Sequence, residues 1–279
     1  MSQPPRDRSV STPAAAPQVR TLRRFEDFQA AGELYTRVFG YSRPEFGLNP
    51  NLLSALAQNG GSAVGAYTGS DQLVGFAYGF AGLDHHGRSF HYSQAAVIDD
   101  SCQGRGIGRT LKLAQRDIAL RWGQTAMRWT FDPLLARNAH FNFCSLGAEG
   151  VAYAPDYYGR EGTDRIVVEW SLTRAADGDP FASIRHLPPP ALTESDWGHP
   201  IPADGSPAAF GGQWLALPER AGDDPGSTVN TRIRAAVRAL LDDGLILVSC
   251  HRTRPTTDGN APARNTATGT AAYLAVRAP

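Results

Sequence analysis

The stretch "CQGRGIGRTLKLAQ", residues 102–115, places three glycines within five residues and then continues as a helical pattern. After Gly106, apolar residues recur at a spacing of about 3.6, as on one face of a helix. Closely spaced glycines at a helix start let backbone N–H groups approach a phosphate, and the helix N-terminus adds partial positive charge. The stretch therefore predicts a strand–loop–helix unit that either binds a phosphate or simply turns the chain.

The glycine spacing excludes two common nucleotide-binding motifs. A dinucleotide loop of the form G-x-G-x-x-G would need its third glycine where Arg109 stands. The phosphate loop of NTPases ends in G-K-[ST], and this ending is absent here.

The segments around the loop predict a mixed α/β fold. Strand-like runs at residues 62–68, 73–82 and 90–98 are separated by turn residues and indicate an antiparallel meander. After the loop, strands alternate with helices. We therefore expect a mixed, mainly antiparallel twisted sheet flanked by helices, followed by a smaller C-terminal β-α-β-β piece. No internal sequence repeat is apparent.

Changes in composition predict the domain organisation. Residues 1–17 have the composition of a disordered tail, and residues 18–173 form the main domain. Residues 174–200, rich in Pro, Gly and Asp, are predicted to be a linker. Residues 201–279 would form a small C-terminal domain, in which residues 254–269 are expected to be a polar loop.

The overall composition argues against several classes of protein. Lys+Arg and Asp+Glu are balanced at 27 each, so we expect no binding to nucleic acid or to an anionic membrane. No apolar run approaches the roughly 18 residues of a membrane span. The three cysteines are far apart and form no disulfide framework, which is typical of the reducing cytoplasm.

The pattern of Gln103, Gly106 and Gly108 after an apolar strand resembles the acyl-CoA loop of the GCN5-related N-acetyltransferase (GNAT) superfamily. The resemblance extends from about residue 19 to about residue 172. The stretches "TFDPL", "RNAHFN" and "YYG" resemble a branch of that superfamily with a C-terminal extension.

The resemblance implies acetyl-CoA or another acyl-CoA as co-substrate, and no metal. Two neighbouring strands would splay, with the pantetheine arm in the gap and the pyrophosphate on the loop. A backbone N–H near Ile98 would stabilise the oxyanion. The predicted cofactor-binding residues are Ala96, Val97, Ile98, Gln103, Gly104, Arg105, Gly106, Ile107, Gly108, Arg109 and Asn138.

The reaction implied is direct attack of a primary amine on the thioester, without a covalent enzyme intermediate. The acceptor would be a small molecule, an amino acid being one candidate, and a homodimer is one arrangement that the resemblance allows. The alternative is a non-catalytic acyl-CoA-binding or regulatory protein. Its motivation is that many GNAT enzymes have a tyrosine acid where this chain has Phe143.

Three residues are candidates for the missing proton transfer. Tyr157 or Tyr158 would protonate the CoA thiolate, and Asp132 would orient the acceptor amine or relay its proton. Packed or surface tyrosines, and a helix cap at Asp132, are the structural alternatives. Asn138 has the same two interpretations, a cofactor contact or a helix cap.

Other polar residues have simpler explanations. His91 is a candidate base, but a core histidine is favoured. The adjacent histidines of Asp84-His85-His86 are expected to point apart, so no metal site is predicted there. A nucleophilic role for Cys102 or Cys144 is disfavoured because no paired histidine is evident. Lys112 is expected on the solvent face of its helix, together with the arginines there.

Overall fold

A computed structural model of the chain describes residues 17–203, 211–220, 226–253 and 269–278. The predicted tail, residues 1–17, lies outside these ranges except for its last residue, and so does the predicted loop at residues 254–269. The C-terminal segments described are therefore the helix and strands of the last part of the chain.

The first part of the chain forms the antiparallel meander that the sequence predicts, preceded by a short strand and two helices. These elements are β1 (Gln18–Thr21), α1 (Phe25–Phe39), α2 (Pro50–Gln58), β2 (Ser62–Tyr67), β3 (Leu73–Leu83) and β4 (Ser89–Ile98).

The remaining helices and strands alternate along the chain. They are α3 (Ile107–Arg121), β5 (Ala126–Phe131), α4 (Ala136–His140), β6 (Glu149–Ala154), β7 (Arg165–Ser171), β8 (Pro200–Pro202), β9 (Gln213–Pro218), α5 (Thr228–Asp242), β10 (Leu245–Arg252) and β11 (Thr270–Arg277). A π-helical turn, Phe141–Ser145, continues α4. Strands β6 and β8 were not predicted from the sequence pattern.

The eleven strands found in the described ranges belong to one sheet, in the order β1-β2-β3-β4-β5-β7-β6-β10-β11-β9-β8. Neighbouring strands are antiparallel except for β4 and β5, which are parallel. The predicted fold class, a mixed and mainly antiparallel sheet flanked by helices, is confirmed.

The second half of the sheet repeats one topology. The unit β5-α4-β6-β7 has the strand order β5-β7-β6, and the unit β9-α5-β10-β11 has the matching order β9-β11-β10. The two units meet where β6 and β10 pair antiparallel, at Gly150 and Leu247. The two units therefore repeat in strand topology, although no repeat is apparent in the sequence.

Hydrophobic residues cover both faces of the sheet. Helices α1 and α2 pack on one face of β2–β4, and α3 packs on the other. A single core contains residues of β5, β6 and β7 together with residues of α5 and β9–β11. Phe181, Ile184 and Leu192, from the segment predicted to be a linker, are buried against the C-terminal strands. The division into domains stays a prediction.

Arg185 joins the two repeated units from within the core. It is 3% exposed and donates to the backbone carbonyls of Ala148 and Val248, both at 3.0 Å. Its guanidinium also pairs with the carboxylates of Glu149 and Asp179. Because every side of this buried charge meets an acceptor, Arg185 stabilises the junction between β6 and β10.

Replacing Arg185 by Met should therefore destabilise the protein strongly. The substitution removes the donor from the buried carbonyls of Ala148 and Val248 and leaves Arg174 as the cation beside Glu149. Losing one partner of a buried charged network typically costs about 3–5 kcal/mol. Urea denaturation measures this change in the free energy of unfolding.

The matched control is Arg252→Met, because the Arg252 side chain pairs with Glu219 at the surface and is 76% exposed. Exposed pairs contribute at most about 1 kcal/mol. Equal effects of the two substitutions would contradict the role of Arg185.

Candidate functional site

Strands β4 and β5 diverge after a short region of pairing. Their parallel partners are His91 with Met127 and Tyr92 with Arg128. Both strands continue, to Ile98 and Phe131, but no further pair joins them among the residues that the structure describes. The divergence leaves a wedge-shaped gap with backbone N–H and C=O groups along its edges.

A β-bulge in β4 begins the divergence. The register against β3 shifts between Ser93 and Ala95, so Gln94 is the extra residue. A bulge bends its strand and increases the local twist. It also changes the side-chain alternation, because Ser93 faces α3 whereas Ala95 packs on the α1 side.

The glycine loop lies at the open end of this gap. Gly104 and Gly106 have φ values of 76° and 77°, and a Cβ on either would have no described atom within 4 Å. Gly106 is the N-cap of α3, and no described side chain caps this helix start. A Cβ on Gly108 would lie 3.3 Å from Ile98 Cδ1, at the end of β4. The exposed N–H groups of the helix start therefore lie beside the gap.

A splayed strand pair followed by a glycine loop at a helix start is the arrangement that the sequence resemblance implies.

Polar contacts connect the glycine loop to α4. Arg137 Nη1 donates to Gln103 Oε1 at 3.1 Å, and Arg109 Nε donates to the carbonyl of Ser145 at 3.3 Å. Arg105, Arg109 and Arg137 are exposed. The loop thus has free backbone donors and positive charge, which together suit an anion. Asn138 is also exposed on α4, near these residues in the chain.

Two tyrosines lie at the gap, on the face of the sheet opposite to α3. Tyr157 Oη donates to Tyr92 Oη at 2.9 Å, and Tyr92 Oη lies 3.5 Å from Thr130 Oγ1 on β5. Tyr157 and Tyr158 are 39% and 45% exposed. Burial raises the pKa of Tyr92 well above its ordinary value, so this phenol keeps its proton. The structure therefore places Tyr157 at the gap, through Tyr92.

Asp132 is engaged by other groups. One carboxylate oxygen accepts the backbone N–H of Leu134 at 3.0 Å. Arg234 of α5 pairs with the carboxylate at 3.2 Å, and lies 3.6 Å from Asp164 at the end of the β6–β7 loop. Asp132 thus forms a local turn and anchors the C-terminal helix beside the gap.

Phe143, at the expected place of the tyrosine acid, is in the core. It is fully buried, and its ring packs edge-on against Phe131 at 5.9 Å and Tyr273 at 6.3 Å. Phe141 is the residue that faces the loop, 3.5 Å from the position of a Cβ on Gly108. The π-helical turn at residues 141–145 changes the helical phase. The sequence position of Phe143 therefore does not place its side chain beside the glycine loop, and Phe141 lies there instead.

The expectation that Lys112 lies on the solvent face of α3 is wrong. Lys112 is 4% exposed, its ammonium donates to Ser93 Oγ at 2.8 Å, and it lies 3.8 Å from the centroid of the Trp129 ring. Burial lowers the pKa of Lys112 to about 7. Where β4 and β5 separate, the Lys112 side chain of α3 packs between them, against Ser93 and Trp129. The helical periodicity of α3 alone does not predict this packing.

A chain of buried hydrogen bonds continues from Lys112. Ser93 Oγ donates to Gln115 Oε1 at 2.8 Å, and Gln115 Nε2 donates to Ser62 Oγ at 3.0 Å. Ser62 Oγ lies 2.8 Å from His91 Nε2. Burial lowers the pKa of His91 to about 4, so this histidine is a neutral core residue at pH 7.

Cys144 has a histidine partner that the sequence analysis missed. Its Sγ lies 3.4 Å from Nε2 of His251, which is 107 residues away in the sequence. His140 is also near, and one side-chain atom each of His140, Cys144 and His251 lies within 4.8 Å of the other two. His251 Nε2 is also 2.7 Å from the carbonyl of Arg185, and His140 Nδ1 is 2.8 Å from that of Cys250. Burial raises the pKa of the Cys144 thiol. These contacts favour a packing role, which holds α4 against β10.

The adjacent histidines of the β3–β4 turn do not point apart, contrary to the expectation. The ring centroids of His85 and His86 are 3.9 Å apart. Asp84 beside them accepts from Arg88 Nε at 2.8 Å and from two backbone N–H groups, so its oxygens serve the turn.

Solved structures similar to this chain include N-acetyltransferases. The yncA protein of Salmonella typhimurium, solved with its cofactor acetyl-CoA, has 19% identity and a TM-score of 0.46, covering 60% of this chain and 99% of its own. The ribosomal-protein-S18-alanine N-acetyltransferase of Escherichia coli has 18% identity and a TM-score of 0.42, covering 58% of this chain and 97% of its own.

A third similar structure is a GCN5-related glucosamine N-acetyltransferase region of a fungal multi-domain β-N-acetylglucosaminidase. It has 18% identity and a TM-score of 0.35, covering 43% of this chain and 14% of that longer protein. No protein-family model and no curated protein matches the chain. Within the described ranges, none of the helices has the length and apolar character needed to cross a membrane.

Replacing Lys112 by Met should change how stability depends on pH. Because the folded chain lowers the pKa of Lys112 from 10.5 to about 7, the unfolded chain binds more protons at this group between those values. This group's contribution to stability therefore rises as pH rises from 7 to 10.5. The free energy of unfolding of Lys112→Met, minus that of wild type, should therefore be largest at pH 7 and below. This difference should decrease as pH rises from 7 to 10.5.

Urea denaturation at several pH values measures this difference. The control is Arg121→Met, an exposed residue of the same helix. If the free energies of unfolding of wild type and Lys112→Met differ by the same amount at every pH, Lys112 is not a buried amine with a lowered pKa.

Proposed function

We propose that this protein is an acyl-CoA-dependent N-acyltransferase, with acetyl-CoA as the preferred donor and a small-molecule primary amine as acceptor. The observation that carries the proposal is the position of the glycine loop at the open end of the β4–β5 gap. Residues of both features are the ones that the sequence resemblance assigned to the cofactor. The N-acetyltransferases among the similar structures agree with this class of reaction.

The cofactor would lie along the gap. Its pyrophosphate would accept hydrogen bonds from the backbone N–H groups of residues 104–109, aided by the exposed Arg105 and Arg109. Its pantetheine arm would pair with the free backbone edge of β4 at residues 96–98. Ala96 is exposed and small, so it leaves room for the arm.

The acceptor amine would approach from the face with the tyrosines. Its nitrogen attacks the thioester carbonyl, and a β4 backbone N–H near Ile98 stabilises the oxyanion. Tyr157 and Tyr92 would position the acceptor, with Tyr158 at the rim. Asp132 would act indirectly, since its carboxylate is bound by Arg234.

The C-terminal part would support this acceptor side. Arg234 connects the end of β5, at Asp132, to the loop that presents the tyrosines, at Asp164. By fixing both positions, α5 would limit the space available to an acceptor. This argument favours a small molecule over a protein substrate.

Replacing Gly106 by Trp should abolish CoA binding while the fold persists. The indole would occupy the position of the phosphate, and a side chain at a φ of 77° adds local strain. Isothermal titration calorimetry with CoA measures the affinity, which should fall at least about a hundredfold, or 2.7 kcal/mol.

Gly87→Trp is the matched control, because Gly87 has the same kind of backbone, with a φ of 76°, in the β3–β4 turn. It should bind CoA as wild type does. Unchanged CoA affinity in Gly106→Trp would disprove the assignment of the loop.

Catalysis and mere binding of the cofactor predict different results in a thiol-release assay. An N-acyltransferase releases free CoA from acetyl-CoA when the right amine from a panel of small amines and amino acids is present. Release with one amine class, absent in Gly106→Trp, supports the enzyme. Tight CoA binding with no release above the rate of hydrolysis, for acetyl- and succinyl-CoA alike, supports the non-catalytic alternative.

A further inference from the structure

Lys112 lies at the closed end of the β4–β5 gap. The last parallel pair is Tyr92 with Arg128, and the next residues on the two strands are Ser93 and Trp129. The Lys112 ammonium contacts both of these, Ser93 Oγ at 2.8 Å and the Trp129 ring centroid at 3.8 Å. The amine therefore bridges the two strands at the point where their pairing ends.

The surroundings of this amine are unusual for a buried lysine. In the part of the chain that the structure describes, no carboxylate forms an ion pair with Lys112. The ammonium contacts one hydroxyl, that of Ser93, and one aromatic ring, that of Trp129. The indole N–H of Trp129 donates to Asn142 Oδ1 at 3.1 Å. Two titratable residues of β4 precede Ser93: His91, which is neutral at pH 7, and Tyr92, whose raised pKa keeps it neutral as well. A buried ammonium without an anion is costly, so a transient anion is the natural partner.

The chemistry of the proposed reaction supplies such an anion at this place. When an amine attacks the thioester, the leaving group is the CoA thiolate. A pantetheine arm that enters from the loop and runs along β4 ends with its sulfur towards the closed end of the gap. We propose that the Lys112 ammonium contacts this sulfur and gives its proton to the departing thiolate.

This inference rests on the proposed function, and the step balances. The acceptor nitrogen forms a bond to the carbonyl carbon, and the carbon–sulfur bond breaks with its electron pair on sulfur. One proton moves from Lys112 Nζ to that sulfur. The proton lost by the acceptor nitrogen goes to solvent, and Lys112 regains a proton from solvent after the product leaves.

Lys112 suits this role better than the tyrosines do. Burial lowers its pKa to about 7, below the value of about 8.5 for an ordinary thiol, so proton transfer to the thiolate is downhill. The pKa of Tyr92 is raised, which makes its phenol a weaker acid. Phe143 has no acidic proton and lies in the core. A general acid contributes about 10²–10⁴-fold to the rate.

A purely structural role is the competing explanation, in which Lys112 only fills the space between the strands. The two explanations differ in how the rate of thiol release depends on pH. A general acid must carry its proton, so the rate falls as pH rises through its pKa, whereas a spacer gives no such dependence.

The test measures thiol release from acetyl-CoA, at saturating concentration of the most active amine of the panel, together with the affinity for CoA by calorimetry. In wild type we expect the rate of release to fall as pH rises through about 7, where Lys112 loses its proton. Lys112→Met should release thiol at least about a hundredfold more slowly, without this pH dependence, and should bind CoA as wild type does. The control Arg121→Met, on the exposed side of α3, should keep both the rate and its pH dependence.

Each outcome has one meaning. A Lys112→Met rate within about tenfold of wild type, or one that keeps the wild-type pH dependence, overturns the role of Lys112 and leaves the cofactor site intact. Failure of wild type to bind CoA, or to release thiol with any amine, overturns the proposed function itself. Should Lys112→Met fail to fold, the wild-type profile still decides, since a rate that does not fall between about pH 6 and pH 9 contradicts the proposal.

Discussion

The separation of β4 from β5 is the constraint on which the site depends. The two strands share two residue pairs, and the bulge at Gln94 then bends β4 away. Everything that the proposed chemistry needs follows from this separation. It frees the backbone edge of β4, it brings the glycine loop next to the end of β4, and it admits Lys112 from α3 between the strands. A fully paired sheet would offer none of these.

Among the residues that the structure describes, Arg185 and Lys112 are buried cations with opposite surroundings. Arg185 is surrounded by carboxylates and carbonyls, and it holds the two repeated units together. Lys112 has one hydroxyl and one ring. A fully compensated charge contributes to the packing of the fold, whereas an uncompensated charge at the end of an open gap can respond to a ligand. The uncompensated charge of Lys112 therefore marks the place where the proposed acyl transfer would occur.

Much of the fold could be predicted from the sequence, because local signals were strong there. The glycine loop and the period of α3 were visible in the sequence, and β2, β3 and β4 lie within one residue of the predicted runs. The site was harder, since it depends on long-range packing. The burial of Lys112 follows from the strand separation, and the place of Phe143 follows from a π-helical turn. Cys144 meets His251 only because β10 joins the sheet.

Hydrogen–deuterium exchange with and without CoA tests the central claim most directly, because that claim concerns free backbone N–H groups. The account predicts that CoA slows exchange at residues 96–98 of β4 and at residues 104–109 of the loop. Exchange in the turn at residues 84–88 and in α5 should stay the same. Protection by CoA elsewhere, with residues 96–98 and 104–109 unchanged, would contradict the account.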